Sequence, residues 1–121
     1  ISNRRNCRQD AAIIKVMSQI SVLELKHLLD KGEEVQIIDI REIHEVDSGT
    51  IGGTHIPMAS LIQRSAEIRI DIPVVIHCKS GSRASAMVHM LRTEKDLDNV
   101  ILLEGGIEAW AREIDPTIIV Y

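Results

Sequence analysis

Residues 72–87, with the sequence IPVVIHCKSGSRASAM, read as a buried strand, a short polar loop and the start of a helix. Residues 73–76 are apolar and mostly β-branched, as expected for a strand that is covered on both faces. Cys78 follows this strand directly. A sulfur near a helix N-terminus meets backbone N–H groups and the positive end of the helix dipole, and both favour thiolate over thiol. The stretch therefore predicts a reactive cysteine at the carboxyl end of a strand.

Strands and helices alternate along the rest of the chain. Ser21 and Glu24 form a capping-box pattern that begins a helix. Further helices are predicted over residues 41–46, 61–68 and 107–113, and further strands over residues 35–40 and 99–103. This alternation predicts one α/β domain, with a central parallel sheet and helices on both faces. In such a sheet the functional site lies outside the carboxyl ends of the strands.

Length and composition restrict the possible functions. The 121 residues suffice for one domain, which we place at residues 18–121, with residues 1–17 as a linker or N-terminal flank. A net charge of −4 and only two aromatic residues, one Trp and one Tyr, argue against nucleic-acid binding. No apolar run is long enough to span a membrane. We expect a cytoplasmic protein on a different ground, because its cysteines are read as free thiols in a reducing compartment.

Two cysteines, Cys7 and Cys78, are too few for a disulfide framework, so free thiols are expected. No Cys/His group has the spacing of a zinc site, and neither a metal nor another cofactor is predicted. His77 is expected in the core, and His44 and His55 are expected to be solvated loop histidines.

Four residues separate Cys78 from Arg83, so the loop between them can close around a small anion. Gly81 permits a backbone conformation that a Cβ would resist. Asp39 and Arg41 lie at the carboxyl end of another predicted strand and are expected to tie strand ends to loops. The predicted site comprises the nucleophile Cys78, the anion-binding residues Lys79, Ser80, Gly81, Ser82 and Arg83, and the supporting residues Asp39 and Arg41.

The loop CKSGSR at residues 78–83 resembles the active-site loop of rhodanese-type sulfurtransferases. DIRE at residues 39–42 and EGGIEAW at residues 104–110 resemble two further motifs of that family, in the expected order. The segment 110–116 and the end of the chain are similar to rhodanese domains fused behind adenylyltransferases, as in the MoeB/MoeZ-like proteins of molybdopterin and thiocarboxylate biosynthesis. The non-Met start and polar flank are consistent with a domain cut from such a chain.

The resemblance implies sulfane-sulfur transfer. Cys78 would attack thiosulfate or a partner's persulfide and become a persulfide, with Arg83 fixing the loop and Lys79 adding charge at its mouth. In the fused proteins the acceptor is the activated C-terminus of a ubiquitin-like sulfur carrier.

Alternative functions are a stand-alone thiosulfate sulfurtransferase, a thiol phosphatase or arsenate reductase, and a non-catalytic docking domain. Phosphatase loops typically have five residues between Cys and Arg, so the four found here disfavour phosphate. The intact Cys78, Gly81 and Arg83 argue against a docking domain.

Overall fold

The computed structural model describes residues 18–120 and contains a five-stranded parallel sheet. The strands are β1 (Gln19–Ile20), β2 (Gln36–Asp39), β3 (Thr54–His55), β4 (Val74–His77) and β5 (Val100–Leu103). Their order across the sheet is β1-β5-β4-β2-β3, which puts β4 in the centre. The predicted linker, including Cys7, lies outside the described residues.

Within residues 18–120, three α-helices connect strands and a fourth follows β5: α1 (Val22–Asp30), α2 (Ile43–Ser48), α3 (Ser82–Glu94) and, after β5, α4 (Gly106–Glu113). The predicted capping box at the start of α1 is present, with the Glu24 N–H donating to the Ser21 hydroxyl at 3.1 Å. Among residues 18–120 no helix is long and apolar enough to cross a membrane.

The central strand β4 separates two hydrophobic cores. Val74 and Ile76 pack on one face of the sheet together with the buried side of α3, whereas Val75 packs on the other face with α1 and α4. All four β4 side chains are buried, because both faces are covered. The predicted α/β fold with helices on both faces of a parallel sheet is confirmed.

The predicted helix over residues 61–68 is wrong. The chain forms two short 3₁₀ turns instead, Met58–Ser60 and Ser65–Glu67. The side-chain amide of Gln36 donates to the Glu67 carbonyl, and its oxygen accepts from the Arg69 N–H, so the segment is fixed to β2 at its end. The chain here forms i→i+3 turns, which occur in short pieces as connectors between elements.

Two smaller differences concern the first strand and helix. β1 has only two residues and no apolar pattern, and it was not predicted. The helical spacing of Leu29 from Val22, Leu25 and Leu28 predicts one buried stripe on α1, but Leu29 is 36% exposed, whereas the other three residues are buried.

Candidate active site

Cys78 lies directly after β4, and its side chain is 0% exposed. Its Sγ accepts hydrogen bonds from the backbone N–H groups of Gly81 at 3.2 Å and Ala84 at 3.4 Å. Both donors belong to the start of α3, whose first N–H groups have no partner inside the helix. The sulfur therefore lies where a negative charge is stabilised by the helix N-terminus. Cys78 is a free thiol.

Gly81 immediately precedes α3 and has a φ of +114°, in the region that L-residues with a Cβ rarely adopt. This conformation turns the chain from the loop into the helix within one residue, as the sequence predicts. Ser80 and Ser82 are exposed, and Lys79 is half-buried. The prediction placed all the N–H donors within residues 79–83, and it missed the donor from Ala84.

The loop is also fixed from its carbonyl side by α4. The N–H of Ile107 donates to the Cys78 carbonyl at 2.9 Å, and the N–H of Glu108 donates to the Lys79 carbonyl at 3.0 Å. Gly106 has a φ of +58°, and a Cβ there would lie 2.5 Å from the Lys79 carbonyl oxygen. The two glycines at positions 105 and 106 therefore bring a second helix N-terminus against the backbone of the Cys78 loop (residues 78–83).

Asp39 and Arg41 form a buried ion pair, exposed by 2% and 1% respectively. The Arg41 Nε lies 3.0 and 3.1 Å from the two Asp39 oxygens, and the second terminal nitrogen lies 2.7 Å from Oδ2. Burial alone would raise the pKa of Asp39, but the bonds from Arg41 and the charges of His77 and Arg41 hold it below its usual value. Arg41 also donates to the carbonyls of Glu45 and Gly49. The pair thus joins the end of β2 to α2.

Arg83 is held by a residue that sequence reasoning missed. Its two terminal nitrogens donate to the two carboxylate oxygens of Glu45, each at 2.9 Å. The hydrogen bond from Arg83 lowers the pKa of Glu45 to about 2. The pattern Glu42-x-x-Glu45 is a local signal for this residue, because Glu45 closes a capping box at the start of α2.

The three histidines near these elements differ from one another. His77 is fully buried, as predicted; its ring nitrogens have no hydrogen-bond partner, and burial lowers its pKa. His44 is exposed, as expected, but lies on α2 rather than in a loop. The prediction for His55 is wrong: it lies in β3, is half-buried, and its Nε2 donates to the Arg41 carbonyl at 2.7 Å. No cluster of metal-binding side chains occurs among residues 18–120.

Three comparisons place this geometry among known proteins. The family model for the rhodanese-like domain matches residues 21–113. The probable adenylyltransferase/sulfurtransferase MoeZ of Mycobacterium tuberculosis is 31% identical over 115 residues, which cover 93% of this chain and 29% of MoeZ. A sulfurtransferase of Allochromatium vinosum is 33% identical over 105 residues, covering 85% of this chain and 96% of that protein.

A thiosulfate sulfurtransferase of Pseudomonas aeruginosa has a similar structure, with a TM-score of 0.71 and 27% identity over 79% of this chain and 19% of that one. The chain therefore belongs to the rhodanese-like domain family. The predicted class, a rhodanese-type sulfurtransferase, is confirmed at the level of this family.

Proposed function

We propose that Cys78 carries sulfane sulfur as a persulfide. The observation that carries this proposal is the Cys78 sulfur itself, buried at the start of α3 with N–H donors from Gly81 and Ala84. The thiolate attacks the outer sulfur of thiosulfate, a new S–S bond forms, and sulfite leaves with the electrons of the broken bond. The loop N–H groups then stabilise the anionic persulfide. Binding of this sulfur anion is the role that we propose for residues 79–83.

The proposed acceptor is the adenylated C-terminus of a ubiquitin-like sulfur carrier. The outer sulfur attacks the acyl carbon and AMP leaves, which gives an acyl disulfide. A first thiol attacks the Cys78 sulfur of this disulfide, so that the carrier leaves as a thiocarboxylate and Cys78 forms a mixed disulfide with the thiol. A second thiol then attacks the mixed disulfide and frees Cys78, and the two thiols leave as their own disulfide. The relative MoeZ is named an adenylyltransferase/sulfurtransferase, which supports a role beside an adenylylating domain, and this chain spans 29% of its length. Fusion to an adenylyltransferase domain, the linker over residues 1–17 and a cytoplasmic location belong to the same proposal.

A stand-alone thiosulfate sulfurtransferase is the second candidate. It is favoured by the Allochromatium relative, 96% of which is covered by this chain. The identity of 33% to that relative and of 31% to MoeZ does not discriminate between the two.

Transfer to a carrier separates these candidates. The chain is loaded with ³⁵S-labelled thiosulfate, freed of excess donor, and mixed with a ubiquitin-like protein that ends in Gly-Gly, an adenylyltransferase, ATP and a thiol. We expect a labelled thiocarboxylate on the carrier, and none with Cys78→Ser. Transfer to cyanide but to no carrier would contradict the carrier proposal and favour the stand-alone enzyme.

A further inference from the structure

We propose that the groove between α3 and the edge strand β1 is a second binding site, which takes a small organic oxyanion: a carboxylate or phosphate group on a short apolar body. The groove has a volume of about 300 Å³, at the lower end of the range for small-ligand pockets. None of residues 78–83 lines it. The proposal therefore goes beyond the proposed function of Cys78 and does not depend on it.

The groove exists because β1 lies at one end of the sheet, whereas α3 packs mainly on β4 and β5. Gln19 of β1 is paired in register with Leu102 of β5, so the two side chains lie on the same face of the sheet. Leu102 packs against the core beneath α3, but Gln19 is exposed. The helix therefore leaves the β1 edge of this face open to solvent.

The α3 wall of the groove carries three polar side chains, Ser85, His89 and Arg92. Their spacing of i, i+4 and i+7 places them in a row along one side of the helix. Ser85 and His89 are exposed, and Arg92 is half-buried. The row therefore presents a hydroxyl, an imidazole and a guanidinium to the same groove.

The guanidinium of Arg92 is fixed before any ligand arrives. One of its terminal nitrogens donates to the carbonyl of Asp98 at 3.1 Å and to that of Val100 at 2.8 Å. Both carbonyls belong to the segment that leads into β5. A side chain ordered in this way loses less conformational entropy when a ligand binds.

The remaining surface of the groove suits the apolar body of such a ligand. Val88 of α3 is buried and Leu102 of β5 is half-buried, and both line the groove. Ser18 and Gln19 supply polar groups on the β1 side. A mainly apolar contact with a few polar groups that fix orientation is typical of small-ligand sites.

The charges around the groove favour an anion over a cation. The chain has a net charge of −4, yet none of the described residues that line the groove is acidic. Arg92 can only donate hydrogen bonds, and the imidazole of His89 and the hydroxyl of Ser85 can donate as well. A negatively charged head group therefore meets donors from α3, whereas a cation would be repelled by Arg92.

The test is an NMR titration of the full chain, labelled with ¹⁵N, at constant ionic strength. The probes are benzoate and phenyl phosphate, with benzamide as the uncharged counterpart of benzoate. We expect saturable shifts of the Gln19, His89 and Leu102 amide signals, with a dissociation constant on the order of 1 mM for at least one anion. Benzamide should bind at least roughly tenfold more weakly, and the tighter anion identifies the preferred head group.

A matched pair of histidine variants locates the binding site. His89→Ala removes an exposed side chain of the groove, so the fold should be kept, and binding of the tighter anion should weaken roughly tenfold. His27→Ala removes another exposed helical histidine, on α1 and outside the groove, and should leave binding unchanged.

Shifts confined to residues 78–84, shifts that do not saturate, equal binding of benzamide and benzoate, or unchanged binding in His89→Ala would each overturn the proposal. The titration involves no sulfur transfer. Its failure is therefore distinguishable from a failure of the proposed function of Cys78.

Discussion

Gly106 lies against the backbone of Cys78 so closely that a Cβ on Gly106 would be 2.6 Å from the Cys78 carbonyl oxygen. Real Cβ atoms do not approach an oxygen this closely, and both partners here are backbone that cannot rotate away. The contact lets the first turn of α4 donate to the carbonyls of the Cys78 loop. The Gly105-Gly106 sequence at the start of α4 is therefore needed for two reasons: it forms the turn into α4, and it lets α4 pack closely against the active-site loop.

Gly106→Ala is expected to displace the Cys78 loop. We predict a loss of about 1–3 kcal/mol in the free energy of unfolding from the overpacked contact, in addition to backbone strain, and slower sulfur uptake. Gly32→Ala is the matched control, because Gly32 has a φ of +77° but nothing within 4 Å of an added Cβ. Gly32→Ala should lose only about 1–2 kcal/mol in the free energy of unfolding, from backbone strain, and it should take up sulfur at the normal rate. Equal effects of the two substitutions on uptake would contradict the account.

The buried Asp39–Arg41 pair predicts a large asymmetry between two similar substitutions. Asp39→Ala leaves the Arg41 charge buried and unpaired, and it should cost about 3–5 kcal/mol in the free energy of unfolding by urea. Asp71→Ala removes the partner of Arg69 at the same sequence spacing, but on the surface, and should cost less than about 1 kcal/mol. Similar losses for both would mean that burial of the Asp39–Arg41 pair is energetically unimportant.

The Glu45–Arg83 pair predicts a specific dependence of stability on pH. The pKa of Glu45 is about 2 in the fold against 4.5 for the unperturbed group, so its ionised form stabilises the protein fully above pH 4.5. This contribution is lost as the pH falls from 4.5 towards 2, and the lowered pKa of Asp39 acts in the same direction. The free energy of unfolding of Glu45→Gln, measured with urea, should fall less steeply than that of wild type as the pH is lowered from 4.5 towards 2. An unchanged slope would contradict the strength of the pair.

Much of this structure follows from local sequence. The β-branched runs in β2, β4 and β5 are recognisable because strands covered on both faces need apolar side chains throughout. Cys78 and Gly81 could be predicted as site residues, because a strand, a short loop and the beginning of a helix lie within a few residues of each other. β1 was missed because two residues are too few to form a pattern.

The contacts between elements could not be read from local patterns. Glu45 and Arg83 are 38 residues apart, and only the tertiary fold brings them together. The N–H groups of Ile107 and Glu108 reach the Cys78 loop only because α4 packs at the same edge of the sheet. The helix predicted over residues 61–68 failed for a similar reason, since Gln36 of β2 fixes that segment from outside it.

The most direct test of the central claim is the intact mass of the protein after treatment with thiosulfate. Wild type should gain one sulfur atom, cyanide should remove it as thiocyanate, and Cys78→Ser should gain none. Cys7 is kept in both proteins, so the comparison isolates Cys78. A wild-type mass that does not change, or an equal gain in Cys78→Ser, would contradict the assignment of Cys78 as the sulfur-carrying residue.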